Sequence, residues 1–380
     1  MKTRMYGKFL VWFAALALAW DVQGKDYWVY FGTYTDALSK GIYVAQLDAE
    51  TGKLSEPKLA AESPSPAYLA VSPNGHMLYA ANEVASFNGE KTSGVSSFGI
   101  DGKSGALYFT NEKSSGGEGA CHVSVDAAAD VLLAANYGDG SVKSFRLNTD
   151  GSIGADGSYI KHHGSSVNTN RQAAAHGHFI QADPSDRFAL ACDLGMDKVV
   201  VYQINHADGT LAEHSFATVP PGSGSRHLAF SPDGKFVHVA NEMGCSVTTF
   251  AWDATAGVLT PVETVSALPA GVSVSPAFTA AEIRVSGNHV YESIRGHDSV
   301  TAFTADPQTG RLTFLQNVPS GGKVPRGLGI DPTGRWLFTG NQKSNTAVEF
   351  AIDPATGKIS PTGQELKIGS PIDVEFVEKN

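Results

Sequence analysis

Histidine, arginine and carboxylate side chains stand beside a sequence pattern that recurs about every fifty residues along this 380-residue chain. The members with the clearest chemistry are His176, Arg226, Glu242 and Arg295. An imidazole or a carboxylate can take a proton from water, and a guanidinium can hold an oxyanion or an anionic substrate through two parallel hydrogen bonds. These residue types therefore indicate acid–base chemistry on an anionic ligand, provided that the fold brings them together.

The elements that position these residues follow a repeated pattern. Each copy has a short apolar run, a turn rich in Pro, Asp and Gly, and a β-rich run that ends in a polar residue, as in 68–82 and 227–241. The polar residues that end successive copies are Asn82, Asn136, Asp193, Asn241, Ser293 and Asn341. A constant period with several short strands per copy predicts an all-β protein, a β-propeller with four antiparallel strands per blade.

A second recurring turn sets the number of blades. It begins with Asp or Asn and ends with Gly, as in Asp48–Gly52 and Asp353–Gly357, and its occurrences predict a seven-bladed β-propeller. The two chain ends are expected to share the last blade. The run 373–378 would pair beside 27–31 and 41–46, which closes the ring and removes exposed strand edges.

The N-terminus has the pattern of a secretory signal peptide. Three basic residues precede an apolar run at 9–20, and a small residue follows at Gly24. We therefore predict a signal peptide at 1–24, a single propeller domain at 25–380 and export to the periplasm or beyond, with no membrane association after cleavage. A single membrane anchor is the alternative for the apolar run.

Composition narrows the classes of partner. The formal net charge of −10 argues against a nucleic-acid partner. The three cysteines, Cys121, Cys192 and Cys245, are an odd and widely spaced set, which is neither a disulfide framework nor a zinc site. A bridge between Cys192 and Cys245 is conceivable, but buried free thiols are the favoured expectation.

Strand geometry predicts where the chemistry lies. The first strand of each blade is innermost and antiparallel to the second, so the start of the first and the end of the second meet at one mouth of the central channel. This rule selects His176, Arg226, Glu242 and Arg295 as catalytic candidates. It also selects the following substrate-binding candidates: His122, His178, His227, Asn241, His297, Arg326 and Asn341.

Several candidates have a structural explanation as well. Asparagine at the end of a strand can simply cap a turn with its side chain, which applies to Asn341. His176 and His178 alternate on one strand and face one side, so they form either a proton-transfer site or a structural pair. Part of the segment 295–298 can serve only to hold the following turn. The sequence contains no nucleophile elbow, dinucleotide or phosphate-binding glycine motif, or paired-histidine zinc motif.

Several sequence segments resemble those of a known family. They span residues 27 to 378 and include Tyr30–Thr35, His122–Asp126, His176–His178, Ser225–Phe230 and Arg295–Ser299. The chain resembles the seven-bladed propeller lactonases, the group of propeller-type 6-phosphogluconolactonase and fungal carboxy-cis,cis-muconate cyclase. The family's proposed active site combines a His, two Arg and a Glu, which look like His176, Arg226, Glu242 and Arg295. One departure is Gly177, where the family usually has Pro.

The resemblance implies a lactone hydrolase that opens a small-molecule sugar lactone, such as 6-phosphoglucono-1,5-lactone, without a metal or organic cofactor. Glu242 or His176 would take the proton from water, while Arg226 and Arg295 hold the oxyanion and any substrate anion. The predicted signal peptide argues against a phosphorylated substrate, because sugar phosphates are mainly cytosolic.

Three alternatives remain open from the sequence. A muconate-type cycloisomerase would use the same residues to form a lactone. A Ca²⁺-dependent lactonase would use the Asn and Glu residues of the rim as ligands. A non-catalytic exported propeller would bind proteins or glycans, with Tyr68, Tyr137 and Phe278 as its aromatic candidates.

Overall fold

The computed structural model describes residues 25–379, and these form seven four-stranded antiparallel sheets whose innermost strands contact one another in a ring. The all-β, seven-bladed propeller predicted from the repeat is confirmed. The predicted signal peptide at 1–24 lies outside the described residues. Among the described residues, no helix is long and apolar enough to cross a membrane.

The strands are numbered β1 to β28 along the chain, and blades 1 to 7 follow the ring from the innermost strand β4. The innermost strands are β4 (Pro66–Val71), β8 (Ala120–Val125), β12 (Gly177–Ala182), β16 (Ser225–Phe230), β20 (Thr279–Ser286), β24 (Pro325–Ile330) and β28 (Pro371–Glu378). The second strands are β5 (Met77–Asn82), β9 (Val131–Asn136), β13 (Phe188–Asp193), β17 (Phe236–Asn241), β21 (His289–Arg295), β25 (Trp336–Asn341) and β1 (Asp26–Thr33). The third strands are β6 (Gly94–Ile100), β10 (Ser141–Leu147), β14 (Lys198–Asn205), β18 (Ser246–Asp253), β22 (Ser299–Ala305), β26 (Thr346–Ile352) and β2 (Gly41–Asp48). The outermost strands are β7 (Leu107–Ser114), β11 (Ile153–Lys161), β15 (Thr210–Thr218), β19 (Val258–Ser266), β23 (Leu312–Pro319), β27 (Ile359–Lys367) and β3 (Lys58–Glu62).

The core lies between the blades rather than in the channel. Seven apolar clusters of described residues fill the seven junctions between neighbouring blades. Leu190 of blade 3 and Val239 of blade 4, for example, belong to one cluster and are fully buried. The second strands are covered on both faces, so they read as nearly continuous apolar runs, and the outermost strands carry the exposed residues.

The two chain ends close the ring as predicted. Strand β28 supplies the innermost strand of blade 7 and pairs antiparallel with β1, with Val29 opposite Phe376. The closure also has an electrostatic part. Arg284 of β20 lies 3.5 Å from Asp373 and 3.2 Å from Glu375, both on β28, and its Nε donates to the carbonyl of Leu328. The closing strand is therefore tied to blades 5 and 6 across the channel.

A β-bulge recurs at the start of the innermost strands. In blade 4, Ser225 pairs with Asn241 and His227 pairs with Ala240, so Arg226 is the extra residue. The same shift places Cys121, His178 and Arg326 at the equivalent positions of their strands. Bulges re-aim side chains next to functional sites, and here they lie at the channel mouth.

Blade 5 differs from the predicted register. The residue opposite the start of its innermost strand is Arg295, which pairs with Thr279, and not Ser293 two positions earlier. The cysteines were expected to be buried free thiols, and this is confirmed. Cys121, Cys192 and Cys245 are all buried and unpaired.

We predict that Arg284→Met lowers the free energy of unfolding by about 3 kcal/mol, because it leaves the buried side chain of Asp373 and the partly buried one of Glu375 without their cation. Urea unfolding of the purified mature protein would measure the change. The matched control is Arg311→Met, which removes an exposed arginine paired with Glu263 on the outer edge. We expect a change of less than about 0.5 kcal/mol there. Equal stability of the two variants would contradict the closing role of Arg284.

Candidate active site

A buried carboxylate, that of Glu242, is shared by three arginines at the channel mouth. Its Oε1 accepts a hydrogen bond from Nη2 of Arg171 at 2.6 Å. Its Oε2 accepts from Nε of Arg226 at 3.0 Å and lies 2.9 Å from Nη2 of Arg295. Glu242 is 4% exposed and Arg226 only 2%, so this is a desolvated cluster rather than a surface ion pair.

Four different elements deliver these side chains. Glu242 directly follows β17, and its amide donates to the carbonyl of Gly224 at 2.7 Å. Arg226 comes from the bulge of β16, and Arg295 is the last residue of β21. Arg171 comes from the irregular segment between β11 and β12. Since backbone pairing sets three of the four positions, the sheets preorganise Glu242, Arg226 and Arg295.

Blade 5 fixes two of the arginines through backbone carbonyls. Nη1 of Arg226 donates to the carbonyl of Ala281 at 2.7 Å, and Nη2 of Arg295 donates to the carbonyl of Ala280 at 2.9 Å. Within residues 25–379, Nη2 of Arg226 and Nη1 of Arg295 donate no hydrogen bond. These two nitrogens are donors left over for a ligand.

The charges within the cluster determine the protonation of Glu242. Burial alone would raise the pKa of its carboxyl group, but Arg295, Arg226 and Arg171 hold that pKa well below the usual range. Burial lowers the pKa of Arg295 to about 10. Glu242 is therefore ionised at any physiological pH, and Arg295 remains protonated at neutral pH. A carboxylate with so low a proton affinity is a weak base.

His176 lies beside this cluster with a defined tautomer. Its Nδ1 lies 2.8 Å from the carbonyl of Tyr137, and because a carbonyl only accepts, Nδ1 carries the hydrogen and Nε2 keeps its lone pair. The ring stacks on that of Tyr137 with centroids 4.5 Å apart. The hydroxyl of Tyr137 accepts a hydrogen bond from Nη2 of Arg171 at 3.3 Å. Tyr137 therefore joins the imidazole to the arginine cluster.

Arg326 is a fourth cation at the mouth. It is half-buried, and its guanidinium lies 5.5 Å from the ring centroid of Tyr34. The hydroxyl of Tyr34 donates to Oε2 of Glu83 at 2.6 Å. Arg326 itself forms no ion pair with a carboxylate in the described part of the chain. It is thus a positive group held by an aromatic face, with its charge available to a ligand.

The mouth carries more positive than negative charge. Among residues 25–379, Arg171, Arg226, Arg295 and Arg326 lie near two carboxylates at the mouth, Glu83 and Glu242. A third carboxylate that acts on Arg226, that of Glu282, lies against His227 and Arg284. This excess lies in a chain whose formal net charge is −10. A local cationic surplus surrounded by low-dielectric walls attracts an anion and stabilises negative charge that develops in a reaction.

The histidines predicted to bind substrate lie deeper in the channel. His122, His178 and His227 are 2–4% exposed, with the ring of His227 5.5 Å from that of His122 and 5.1 Å from that of His178. Burial, reinforced by the arginines and neighbouring histidines, holds the pKa of each well below its usual value. These uncharged side chains line the channel beneath the arginine cluster. Their role in substrate binding stays a prediction.

The remaining candidates have mainly structural contacts. Asn241 and Asn341 are fully buried, and their amides donate to Ser246 and Thr248 or to Thr339 and the carbonyl of Ser320. The side-chain oxygens of both residues accept no hydrogen bond within residues 25–379, so neither residue caps a turn through Oδ1. His297 is half-buried at the edge of the mouth, with Nδ1 2.7 Å from Oγ of Ser299. Nothing in these contacts tests a role in ligand binding.

Two residues at the mouth were not predicted from the positions of strand ends. Arg171 lies in an irregular segment outside the repeat, and Tyr34 follows β1 in the blade shared by the chain ends. The side chain of Arg171 is 39% exposed and lines a cavity of about 440 Å³ with Met243 and Phe278. The only sequence signal for Arg171 is its position five residues before His176.

The rim aromatics do not form a single exposed patch. Tyr68 is buried in the channel, where its ring lies 4.1 Å from that of His122. Tyr137 is stacked on His176, and Phe278 packs against His297 at the edge.

Comparisons with known proteins agree with this architecture. A family model described as "Lactonase, 7-bladed beta-propeller" matches residues 28–376. The chain is 35% identical over 353 residues to a 6-phosphogluconolactonase of Bacillus subtilis, which covers 92% of this chain and 98% of that protein. It is 29% identical over 351 residues to a 6-phosphogluconolactonase of Formosa agariphila, covering 90% and 96% of the two chains.

A solved structure extends the likeness to three dimensions. The periplasmic gluconolactonase PpgL of Pseudomonas aeruginosa superimposes with a TM-score of 0.87 at 31% sequence identity, covering 93% of this chain and 100% of that one. The match in sequence and in fold spans the whole propeller. The chain therefore belongs to the seven-bladed β-propeller lactonase family.

Proposed function

We propose that this protein hydrolyses a sugar lactone at the channel mouth, without a metal or organic cofactor. The observation that carries the proposal is the surplus of arginine around Glu242, next to an imidazole whose Nδ1 donates to the carbonyl of Tyr137. Ester hydrolysis needs an activated water and a cationic site for the developing oxyanion, and these groups supply both.

His176 is the better base of the two candidates. Glu242 is ionised but holds a proton poorly, because three guanidinium groups stabilise its charge. Its function is to orient Arg171, Arg226 and Arg295. Nε2 of His176 takes a proton from water as the water oxygen attacks the lactone carbonyl carbon. The tetrahedral intermediate then collapses, the ring C–O bond breaks, and the leaving oxygen receives that proton, which yields the hydroxy acid.

The free donors of the arginines stabilise the oxyanion. Nη2 of Arg226 and Nη1 of Arg295 have no partner among residues 25–379, and both guanidinium groups are held rigidly by Glu242 and backbone carbonyls. Donors that are fixed before the reaction cost no reorganisation when charge develops. Arg326 has no carboxylate partner among the same residues, so it is the group best placed to bind an anionic substituent on a lactone that carries one.

The phosphorylation state of the substrate follows from the compartment. The predicted signal peptide at 1–24 and the likeness to a gluconolactonase described as periplasmic both support export. Relatives named 6-phosphogluconolactonase support a sugar lactone as the substrate class. We propose an exported enzyme that acts on an unphosphorylated sugar lactone.

A muconate-type cycloisomerase is the second candidate, and one observation favours it. The two excess positive charges of the mouth would suit a dicarboxylate as well as they suit an oxyanion. The reaction would then be lactone closure, without water.

The decisive experiment is hydrolysis of glucono-1,5-lactone and of its 6-phosphate by the mature protein, measured against the uncatalysed rate. An excess rate that collapses in Arg295→Ala is the expected result, and the preferred substrate decides the phosphate question. No excess rate on either lactone, together with ultraviolet-detected conversion of a muconate, would replace the hydrolase by the cycloisomerase. If no substrate is turned over in any assay, the non-catalytic binding propeller becomes the favoured interpretation.

We predict that His176→Gln lowers kcat for lactone opening by about 10²- to 10³-fold, because it removes the base. The matched control is His163→Gln, an exposed histidine in the same segment, which should change kcat by less than about two-fold. Stopped-flow pH-indicator assays would measure both. A His176→Gln variant with the rate of the control would exclude His176 as the base.

We predict that Arg326→Ala lowers kcat/KM for an anionic lactone by about 10- to 100-fold, the value of a hydrogen bond to a charged group. The loss should be smaller for an uncharged lactone. Lys323→Ala is the control, since this exposed lysine lies three residues earlier and pairs with Asp298. If kcat/KM falls by the same factor for both lactones, Arg326 does not bind the anionic group of the substrate.

A further inference from the structure

A second cluster of ligand-type side chains lies at the opposite end of the propeller from Glu242. Asp126 follows β8 in blade 2, Asp186 lies in the β12–β13 turn of blade 3, and His206 follows β14. One ligand atom from each lies within 4.8 Å of the other two. Asp130, just before β9, also lies close, with Oδ1 2.9 Å from Nδ1 of His206.

The repeat itself shows that Asp126 is unusual. In the same turn of blade 6, Asp331 uses Oδ1 to accept from two backbone amides, and Oδ2 accepts from the amide and hydroxyl of Thr333. Asp183 of blade 3 does the same with Ser185. Each carboxylate is thus fully used to build its turn.

Asp126 keeps the contacts of Oδ1 but lacks those of Oδ2. Its Oδ1 accepts from the amides of Asp130 and Val131 at 2.8 and 2.9 Å, which fixes the carboxylate. The residue at the position of Thr333 is Ala128, which has no hydroxyl and whose amide donates to Asp186 instead. As a result, Oδ2 of Asp126 is fully buried and has no hydrogen-bond partner within residues 25–379.

The unpartnered oxygen faces the imidazole of His206. Oδ2 lies 3.3 Å from Nδ1. On its other side, Nε2 of His206 lies 2.6 Å from the carbonyl of Asp186, so Nε2 carries a hydrogen and donates it. An imidazole that donates one N–H to a backbone carbonyl and turns its other nitrogen toward carboxylates has the arrangement of a metal-ligating histidine.

The charges favour a cation. Three carboxylates, those of Asp126, Asp130 and Asp186, meet here, and Arg146 contacts only Asp130, at 2.6 Å. A divalent cation between Nδ1 of His206 and these carboxylates would balance the excess negative charge and would also engage the free oxygen of Asp126.

We propose that Asp126, Asp186 and His206, with Asp130 beside them, form a binding site for a divalent cation. One imidazole nitrogen with carboxylate oxygens suits a borderline ion such as Zn²⁺ or Mn²⁺ better than Ca²⁺, which prefers oxygen alone. The side chain of His206 is 34% exposed, so the proposed site can be reached from solvent. The cation joins blade 2 to blade 3 and has a stabilising role, separate from the reaction at the mouth.

The test is titration of the EDTA-treated mature protein with ZnCl2 and MnCl2, and with CaCl2 for comparison, by isothermal calorimetry at pH 8. We expect saturable binding of one Zn²⁺ or Mn²⁺ per chain, and a rise of about 1–3 °C in the unfolding midpoint at saturation. Asp126→Asn should weaken this binding by about 100-fold or more. The Asn oxygen can still accept both backbone amides, so the turn is retained.

The matched control is Asp331→Asn, the same change in the equivalent turn of blade 6, which should leave the affinity for Zn²⁺ unchanged. A second variant, His206→Gln, keeps a donor for the carbonyl of Asp186 and removes the nitrogen ligand from a partly exposed position. It should weaken binding even if Asp126→Asn fails to fold. Absence of binding to the wild-type protein, or binding that neither variant weakens, would overturn the proposal and leave a protonated His206 in a salt-bridged turn.

Discussion

The interaction on which the site depends is the burial of one carboxylate under three guanidinium groups. Without Glu242, Arg171, Arg226 and Arg295 would repel one another in a medium that screens charge poorly. With it, three long side chains from separate elements are held in one arrangement. The low proton affinity of Glu242 is a consequence of this structural role, and it is the reason that we propose His176 as the base.

The propeller makes this arrangement possible through its backbone. A bulge at the start of the innermost strand places one extra residue at the mouth, and four blades put Cys121, His178, Arg226 and Arg326 there. The apolar cores lie at the junctions between blades, so the mouth can vary without loss of packing. The same scaffold can therefore carry different chemistry at its rim.

The sequence predicted the fold well because the repeat encodes it directly: strand ends, turns and the shared last blade all follow from spacing. It also brought Arg226, Glu242 and Arg295 together, since these lie at strand ends. It could not predict Arg171, because an irregular segment has no register. Nor could the sequence distinguish residues at the mouth from residues inside the channel. His178 and His227 lie at bulges or beside them, and only the assembled propeller shows that their imidazole side chains are buried.

The mouth and the interior of the channel differ in charge. At the mouth, arginines outnumber carboxylates, while further along the channel Asp373 and Glu375 meet Arg284. The chain as a whole carries a net charge of −10, which repels an anion at long range. Because salt screens that repulsion over about 8–10 Å, the short-range attraction of the mouth dominates once an anion arrives. The arrangement thus favours selective binding of anions at the mouth over fast capture from a distance.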